Sequence, residues 1–167
     1  MKKYKLGFTA GNFDLLHPGY IYTFEEAKRH CDRFLVFLQK DPSATRYTKY
    51  KPVIPYYERY KTLMAIQYID EVYMYQTEKE LYELIKFWKP DIAIFIDSEI
   101  WPCMFKKIKE NKIPLLLINA RLTKKTFNRW FKFKNFTNSV LKNIKTAYPQ
   151  NLDTKLYLKK LGLRNVV

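Results

Sequence analysis

Residues 8–20, FTAGNFDLLHPGY, join the end of an apolar run to the start of a helix through a short turn. The turn contains Gly11 and Asn12, which let the backbone approach a ligand closely, and helical spacing begins after His17 at Pro18. In open parallel sheets, ligands bind in such turns, at the carboxyl ends of strands. The helix would point its electropositive N-terminus at the same place, where a histidine can donate to a phosphate oxygen. The turn is therefore predicted to bind a polyphosphate.

Apolar runs and helix-like segments alternate along the rest of the chain. Residues 33–39, RFLVFLQ, form a continuous apolar run that is typical of a strand buried on both faces. Thr77, followed three residues later by Glu80, predicts a capping box at the start of a helix, and residues 123–143 are predicted to form one basic, aromatic helix. The alternation predicts a Rossmann-like α/β fold with an open, mostly parallel sheet and helices on both faces.

Composition limits the classes of protein that this chain can belong to. Its 167 residues carry a net charge of +15, and residues 91–167 alone hold 16 Lys/Arg against 5 Asp/Glu. A basic surface attracts phosphates, nucleic acid or anionic lipid, although a solvated basic face is an equally weighted alternative. The two cysteines, Cys31 and Cys103, are expected to be reduced thiols. No signal peptide or membrane span is recognisable, so we expect a cytoplasmic protein.

The first motif resembles that of a known family. Residues 11–20, GNFDLLHPGY, resemble the G-x-F-D-x-x-H-x-G-H signature of cytidylyltransferase-like nucleotidyltransferases. The similarity continues through residues 51–72, KPVIPYYERYKTLMAIQYIDEV, and resembles the glycerol-3-phosphate cytidylyltransferase branch over residues 4–90. That resemblance implies an enzyme that transfers CMP from CTP to a phosphorylated small alcohol or sugar and releases pyrophosphate. Mg²⁺ is the implied cofactor; it would arrive with the nucleoside triphosphate, and no metal-ligating residue is assigned.

The resemblance also implies roles for individual residues. His17, Lys51 and Tyr20 are the expected catalytic residues, with His17 on the nucleotide phosphates and Lys51 reaching them from a loop. Asp14 is expected near the acceptor substrate. The nucleotide-binding set also includes Gly11, Asn12, Phe13, Arg59 and Arg121. Arg59 is expected either to bind phosphate or to orient the loop; the alternative for Lys51 and Arg59 is a solvated loop and an ordinary helix surface.

Tyr20 departs from the family signature, which has histidine at that position. A tyrosine hydroxyl can donate one hydrogen bond, but it stays neutral and reaches further than an imidazole. Loss of one such donor typically costs on the order of 10²–10³ in rate. The motif therefore predicts binding more firmly than efficient catalysis.

The second half resembles a different family. Residues 98–102, SEIWP, and 118–122, INARL, are similar to the N-terminal domain of Kdo (3-deoxy-D-manno-octulosonic acid) transferases, which are membrane-associated glycosyltransferases acting on lipid A. The similarity covers residues 86–167. Glu99 is the site residue that this family would supply; its alternative is an acid favoured by a helix N-terminus. The chain is interpreted as a chimera, with a nucleotidyltransferase-like unit over 1–90 and a Kdo-transferase-like unit over 91–167 that continues the same sheet.

A basic, aromatic segment at residues 122–136 leaves three alternatives open. It could bind an anionic membrane surface, stack on single-stranded nucleic acid, or pack its aromatic rings into the core. The Kdo transferase resemblance favours the membrane, which would place the protein at the periphery of the inner membrane. A Kdo-transferase-like partial module and a non-catalytic basic nucleotide- or nucleic-acid-binding module remain alternatives to the nucleotidyltransferase. A nucleoside triphosphate, a phosphorylated acceptor and a second copy in a homodimer are the expected partners, whereas nucleic acid is not favoured.

Overall fold

The computed structural model describes residues 4–46, 48–96 and 100–167. The chain divides after Asp91 into two compact units. In the described residues, each unit has three strands that pair in parallel, and helices connect the strands. The predicted Rossmann-like α/β class is therefore confirmed.

The first unit contains three strands that alternate with helices. In it, β2 lies between β1 and β3, and both pairings are parallel, with Thr9 opposite Val36 and Val36 opposite Val72. The elements are β1 (Tyr4–Gly11), α1 (Pro18–His30), β2 (Cys31–Gln39), a short 3₁₀ helix (Pro42–Ala44), α2 (Tyr56–Met64), β3 (Glu71–Tyr75) and α3 (Glu78–Trp88).

The central strand β2 explains the stability of this unit. Residues 34–38, FLVFL, are completely buried, as the continuous apolar run predicts for a strand covered on both faces. Phe8 and Phe37 from neighbouring strands contact each other with ring centroids 5.2 Å apart. Each fully buried aromatic or branched aliphatic side chain contributes about 1.5–3 kcal/mol relative to exposure. The core therefore fixes the strand ends from which the loops of the unit emerge.

The second unit repeats the alternation with three more strands. In it, β5 lies between β4 and β6, again with parallel pairing, and Ile94 lies opposite Leu116. The elements are β4 (Ile92–Ile96), α4 (Pro102–Glu110), β5 (Leu115–Ala120), α5 (Lys124–Lys132), α6 (Lys134–Leu141), β6 (Ile144–Pro149) and α7 (Leu152–Lys160).

The single helix predicted over residues 123–143 is wrong, because the structure has two helices that meet at Phe133. In a continuous helix, the carbonyl of Trp130 would accept from the amide of residue 134. Here it accepts instead from the Phe133 amide at 3.1 Å and from the buried Thr137 hydroxyl at 2.8 Å. Phe133 takes φ −113° and ψ 46°, outside the helical range, and this ends α5.

Candidate functional site

The turn between β1 and α1 is held in place by an inward-facing phenylalanine. Phe13 has a φ of +46°, in the left-handed region, and its side chain is buried against the edges of Tyr20 and Phe24, at centroid distances of 5.9 and 5.7 Å. Its ring lies so close to Gly11 that a Cβ there would come within 3.1 Å of it. A role for Phe13 in nucleotide binding would therefore have to come from its main chain.

His17 caps the N-terminus of α1 and leaves one ring nitrogen for a ligand. Its Nδ1 accepts a hydrogen bond from the Gly19 amide at 3.1 Å, and the residue is exposed. Because Nδ1 is the acceptor, the proton of the neutral ring is on Nε2, which becomes a hydrogen-bond donor. The imidazole therefore presents a donor beside the electropositive end of a 13-residue helix.

Gly19 makes this arrangement of His17 possible, and the sequence interpretation gave it no role. A Cβ at residue 19 would lie 2.7 Å from Cε1 and 2.9 Å from Nδ1 of His17. Any side chain at residue 19 would thus displace the ring. The signal that could have revealed Gly19 is its fixed place, two residues after the histidine, in the family signature.

Tyr20 lies next to His17, as its position in the motif predicts. The two ring centroids are 4.9 Å apart, and the tyrosine ring also stacks on Phe24 at 6.0 Å. The Tyr20 amide donates to the His17 carbonyl at 2.9 Å, which closes the first turn of the helix. The residue that replaces the second motif histidine is therefore at the candidate site.

Asp14 ties the loop after β2 to the turn. Its two carboxylate oxygens accept hydrogen bonds from the main-chain amides of Val53 and Ile54, each at 2.9 Å. Lys51 lies two residues before Val53 and is exposed. The structure thus gives Asp14 a contact with the loop, and its predicted contact with an acceptor substrate stays a prediction.

Arg59 is a buried connector rather than a surface residue. It is 2% exposed, and its guanidinium donates to four main-chain carbonyl groups. These carbonyls belong to the turn, to the end of β2 and to the loop, and the residues are Asn12, Gln39, Lys40 and Ile54. Of the two roles predicted for Arg59, orientation of the loop is the one that this geometry serves, and the alternative of an ordinary helix surface is wrong.

Two charged groups lie near the Arg59 connector. Burial lowers the pKa of the Arg59 guanidinium, while the charges of Asp14 and Asp41 act to raise it. The pKa of Asp41 is itself lowered, chiefly because the Ser43 hydroxyl donates to its carboxylate at 2.7 Å, and the charge of Lys51 contributes to the lowering. The predicted reach of Lys51 to nucleotide phosphates stays a prediction.

A cavity of about 430 Å³ opens beside His17, between α1 and α2. Its lining is mostly apolar and comprises Leu16, His17, Pro18, Ile21, Tyr22, Thr62 and Ile66.

Among the described residues, no group of three or more His, Cys, Asp or Glu side chains could hold a metal ion. Asp14 is the carboxylate of the turn, and both of its oxygens already accept from amides. A Mg²⁺ ion that arrives with the nucleotide stays a prediction.

The remaining predicted site residues belong to the second half of the chain. Arg121 lies in the second unit and is exposed, directly after the carboxyl end of β5. Its predicted contact with nucleotide phosphate stays a prediction. Glu99 lies outside the described residues.

The basic, aromatic segment does not pack its first helix into the core. No residue of α5 is buried, and Phe131, Phe133 and Phe136 are exposed by 45%, 65% and 57%. Phe127 instead stacks on Tyr157, with centroids 4.5 Å apart. The core-packing alternative is therefore wrong for α5. In the part of the chain that the structure describes, no helix is long and apolar enough to cross a bilayer.

The parallel sheet and its strand-to-helix turns define a Rossmann-like α/β protein. Residues 56–167 match the family model described as 3-deoxy-D-manno-octulosonic-acid transferase (kdotransferase), and the chain belongs to this family. The match begins at Tyr56, well before the expected start at residue 86. The part expected to be nucleotidyltransferase-like therefore overlaps the part that the family model covers.

Two groups of curated relatives match this chain. The 3-deoxy-D-manno-octulosonic acid transferase of Rickettsia felis is 34% identical over 85 residues, which are 51% of this chain and 18% of the relative. The Bifunctional protein HldE of Gluconacetobacter diazotrophicus is 36% identical over 91 residues, which are 54% of this chain and 19% of the relative. The chain thus spans about a fifth of the length of these relatives.

Solved structures share the fold. A lipopolysaccharide core biosynthesis protein from Thermoplasma volcanium superposes with a TM-score of 0.58 at 22% identity, covering 72% of this chain and 98% of the other. A UDP-N-acetylglucosamine 2-epimerase from Rickettsia bellii gives the same TM-score at 16% identity, covering 98% of this chain and 43% of the other. At these identities the similarity concerns the fold alone.

Proposed function

We propose that the turn over residues 11–20 binds the phosphates of a nucleoside triphosphate and that the chain is a nucleotidyltransferase. The observation that carries this proposal is the fixed ring of His17, whose Nδ1 accepts from Gly19 and whose Nε2 is left as a donor. An exposed N–H donor at a helix N-terminus is suited to a phosphate oxygen.

The proposed reaction transfers CMP from CTP to a phosphorylated small alcohol or sugar. An oxygen of the acceptor phosphate attacks the α-phosphorus, the bond from that phosphorus to the β-bridging oxygen breaks, and pyrophosphate leaves with the electron pair. Mg²⁺ bound to the nucleotide would neutralise phosphate charge. His17 and Lys51 would donate to the phosphate oxygens, and catalysis would come from positioning and charge neutralisation.

The structure suggests how the loop would be positioned for this reaction. Asp14 accepts from the amides of Val53 and Ile54, and Arg59 donates to the Ile54 carbonyl. Lys51 precedes this anchored segment and is exposed. A lysine on such a loop can approach the phosphates while its main chain stays tied to the turn.

The test is pyrophosphate release with ATP, CTP, GTP and UTP, each with glycerol 3-phosphate and a panel of sugar phosphates. We expect pyrophosphate release with CTP, and only when an acceptor is present. Lys51→Ala should reduce this release. The control Lys49→Ala, which removes another exposed lysine of the same loop, should retain it. Tyr20→His should raise the rate, whereas Tyr57→His, at a 57%-exposed ring of α2 that does not line the cavity beside His17, should not. No release above background from any nucleotide and acceptor pair would reject the proposal.

A second candidate function follows from family membership over residues 56–167. The chain would then be a partial glycosyltransferase module that binds lipid A precursors at an anionic membrane through residues 122–136. In support, α5 buries none of its residues and exposes aromatic rings among lysines, as helices in a membrane interface do.

Liposome flotation tests this second candidate. The chain should float with liposomes that contain anionic lipid and lipid A. The double substitution of Lys132→Gln with Phe133→Ser should abolish this flotation. The matched control is Lys86→Gln with Phe87→Ser, which removes a cation and a 75%-exposed ring from α3. Equal flotation of both double variants would count against a membrane role for residues 122–136.

A further inference from the structure

A second cavity, of about 710 Å³, lies within the second unit at the amino end of β6. Its walls come from α4, from the loop between α6 and β6, and from the segment after α7. Ligands of Rossmann-like folds bind at the carboxyl ends of strands. The fold therefore does not explain this cavity, and no residue of the Gly11–Tyr20 turn contributes to it.

Four cationic side chains line this cavity, each from a different part of the unit: Lys109, Lys142, Lys145 and Arg164. None of the lining residues, all of which the structure describes, is acidic. Within the described residues, Lys109, Lys142 and Arg164 form no ion pair, and the neighbouring carboxylate of Glu110 is engaged by Lys107 at 3.1 Å. A concave surface lined by one sign of charge focuses its field and raises the local concentration of oppositely charged ligands.

The walls of this cavity are fixed by contacts of the main chain. Asn165 donates through its side chain to the Lys145 carbonyl at 3.1 Å, and its own carbonyl accepts from the Ala147 amide at 3.0 Å. Gly162 has a φ of +95°, and a Cβ there would lie 2.1 Å from Oδ1 of Asn138. The backbone that carries Arg164 is therefore fastened along β6 and packed against α6.

From these observations we propose that the cavity binds a compact, soluble polyphosphate, meaning a small molecule with two or more neighbouring phosphate groups. Its volume is in the range of small-molecule sites, about 300–1,000 Å³, and exceeds the need of one phosphate ion. Lysine and arginine side chains are the usual partners of phosphate oxygens. A preformed backbone lowers the ordering cost that binding would otherwise carry.

The experiment is a titration of the ¹⁵N-labelled chain with inorganic tripolyphosphate at constant ionic strength, followed by two-dimensional NMR. Saturable shifts are expected at the amides of Lys142, Lys145, Gly162, Arg164 and Asn165. The double substitution Lys142→Glu with Arg164→Glu should weaken binding about tenfold or more, since it removes two charge-assisted contacts. Because the readout is confined to these amides, His17→Ala should leave it unchanged, whatever the fate of the proposed nucleotidyltransferase activity.

The matched control is Lys159→Glu with Lys160→Glu, two exposed lysines of α7 that do not line the cavity. It changes the net charge by the same amount, so it should leave the affinity within about twofold. The spectra of both double variants also report whether they are folded. If the variant Lys142→Glu with Arg164→Glu is not folded, Lys109→Gln with Lys145→Gln takes its place. Equal weakening by the control, or shifts that do not saturate at these amides, would overturn the proposal.

Discussion

The guanidinium of Arg59 donates a hydrogen bond to the carbonyl oxygen of Asn12, across 47 residues of the chain. With its bonds to the end of β2 and to Ile54, this contact joins α2 to the candidate nucleotide-binding turn. Replacement by methionine would leave buried carbonyls without donors, at about 1–3 kcal/mol each. Arg59→Met is therefore expected to lower the free energy of unfolding by about 3 kcal/mol or more.

Urea unfolding measures this effect, and Arg29→Met provides its control. The side chain of Arg29 in α1 is 65% exposed and pairs with Glu25 and Glu26, so its loss should cost less than about 0.5–1 kcal/mol. Arg59→Lys should be intermediate, because a single ammonium cannot reproduce the planar fork. A loss of stability as small for Arg59→Met as for Arg29→Met would show that Arg59 is not the connector.

Asp14→Asn should loosen the loop while keeping the fold. The amide side chain has one acceptor oxygen, so only one of the Val53 and Ile54 amides can keep its partner. We expect faster hydrogen exchange at these two amides and a loss of about 1–3 kcal/mol in stability. The control is Glu58→Gln, which neutralises an exposed carboxylate of the nearby helix α2. If these two amides exchange as slowly in Asp14→Asn as in this control, Asp14 does not hold the loop.

Gly19→Ala should move the ring of His17 without unfolding α1. The new Cβ would overlap Cε1 of the imidazole, whereas alanine favours the helix by about 1 kcal/mol over glycine. Long-range ¹⁵N NMR of the neutral imidazole distinguishes the two tautomers. We expect Nδ1 to be the unprotonated nitrogen in the wild type, and a mixture of tautomers together with weaker nucleotide binding in the variant. An unchanged spectrum would mean that Gly19 does not determine the orientation of the His17 ring.

Acid should destabilise the first unit partly through Glu71. Hydrogen bonds donated by Tyr73 and Arg33 lower the pKa of its carboxyl below the usual 4.5. A lowered folded-state pKa means that the stabilisation is present above about pH 4.5 and is lost as the pH falls through the folded value. Comparing unfolding at pH 7 and pH 3, Glu71→Gln should lose less stability than the wild type does. Glu83→Gln, from an exposed ion pair of α3, should follow the wild type.

The sequence predicted the elements whose signals are local. The apolar run of β2 and the box formed by Thr77 and Glu80 both occur as expected, with the Thr77 hydroxyl accepting from the Glu80 amide at 3.2 Å. Phe133 could not be predicted as a helix break, because the break depends on the Thr137 hydroxyl reaching the Trp130 carbonyl. That competition between donors for one carbonyl is decided only when the helices pack.

The site was predictable in its residues more than in their contacts. The motif identified His17 and Arg59, but the partners of Arg59 are main-chain carbonyls far away in sequence. Since every residue has a main-chain carbonyl, the residue types do not show which carbonyls accept. Gly19 likewise gained a role only when the ring of His17 was found where a Cβ at residue 19 would lie. The cation-lined cavity of the second unit combines residues between 109 and 165, and each of its four cationic residues is an ordinary surface lysine or arginine in the sequence.

The most direct measurement of the central claim is the affinity of the chain for CTP with Mg²⁺, by calorimetry, before and after His17→Ala. Leu15→Ala, which truncates a 61%-exposed side chain of the same turn, is the control. The account predicts that His17→Ala weakens binding about tenfold or more, the cost of one charge-assisted hydrogen bond, while Leu15→Ala binds as the wild type does. Equal affinities for all three proteins would contradict it.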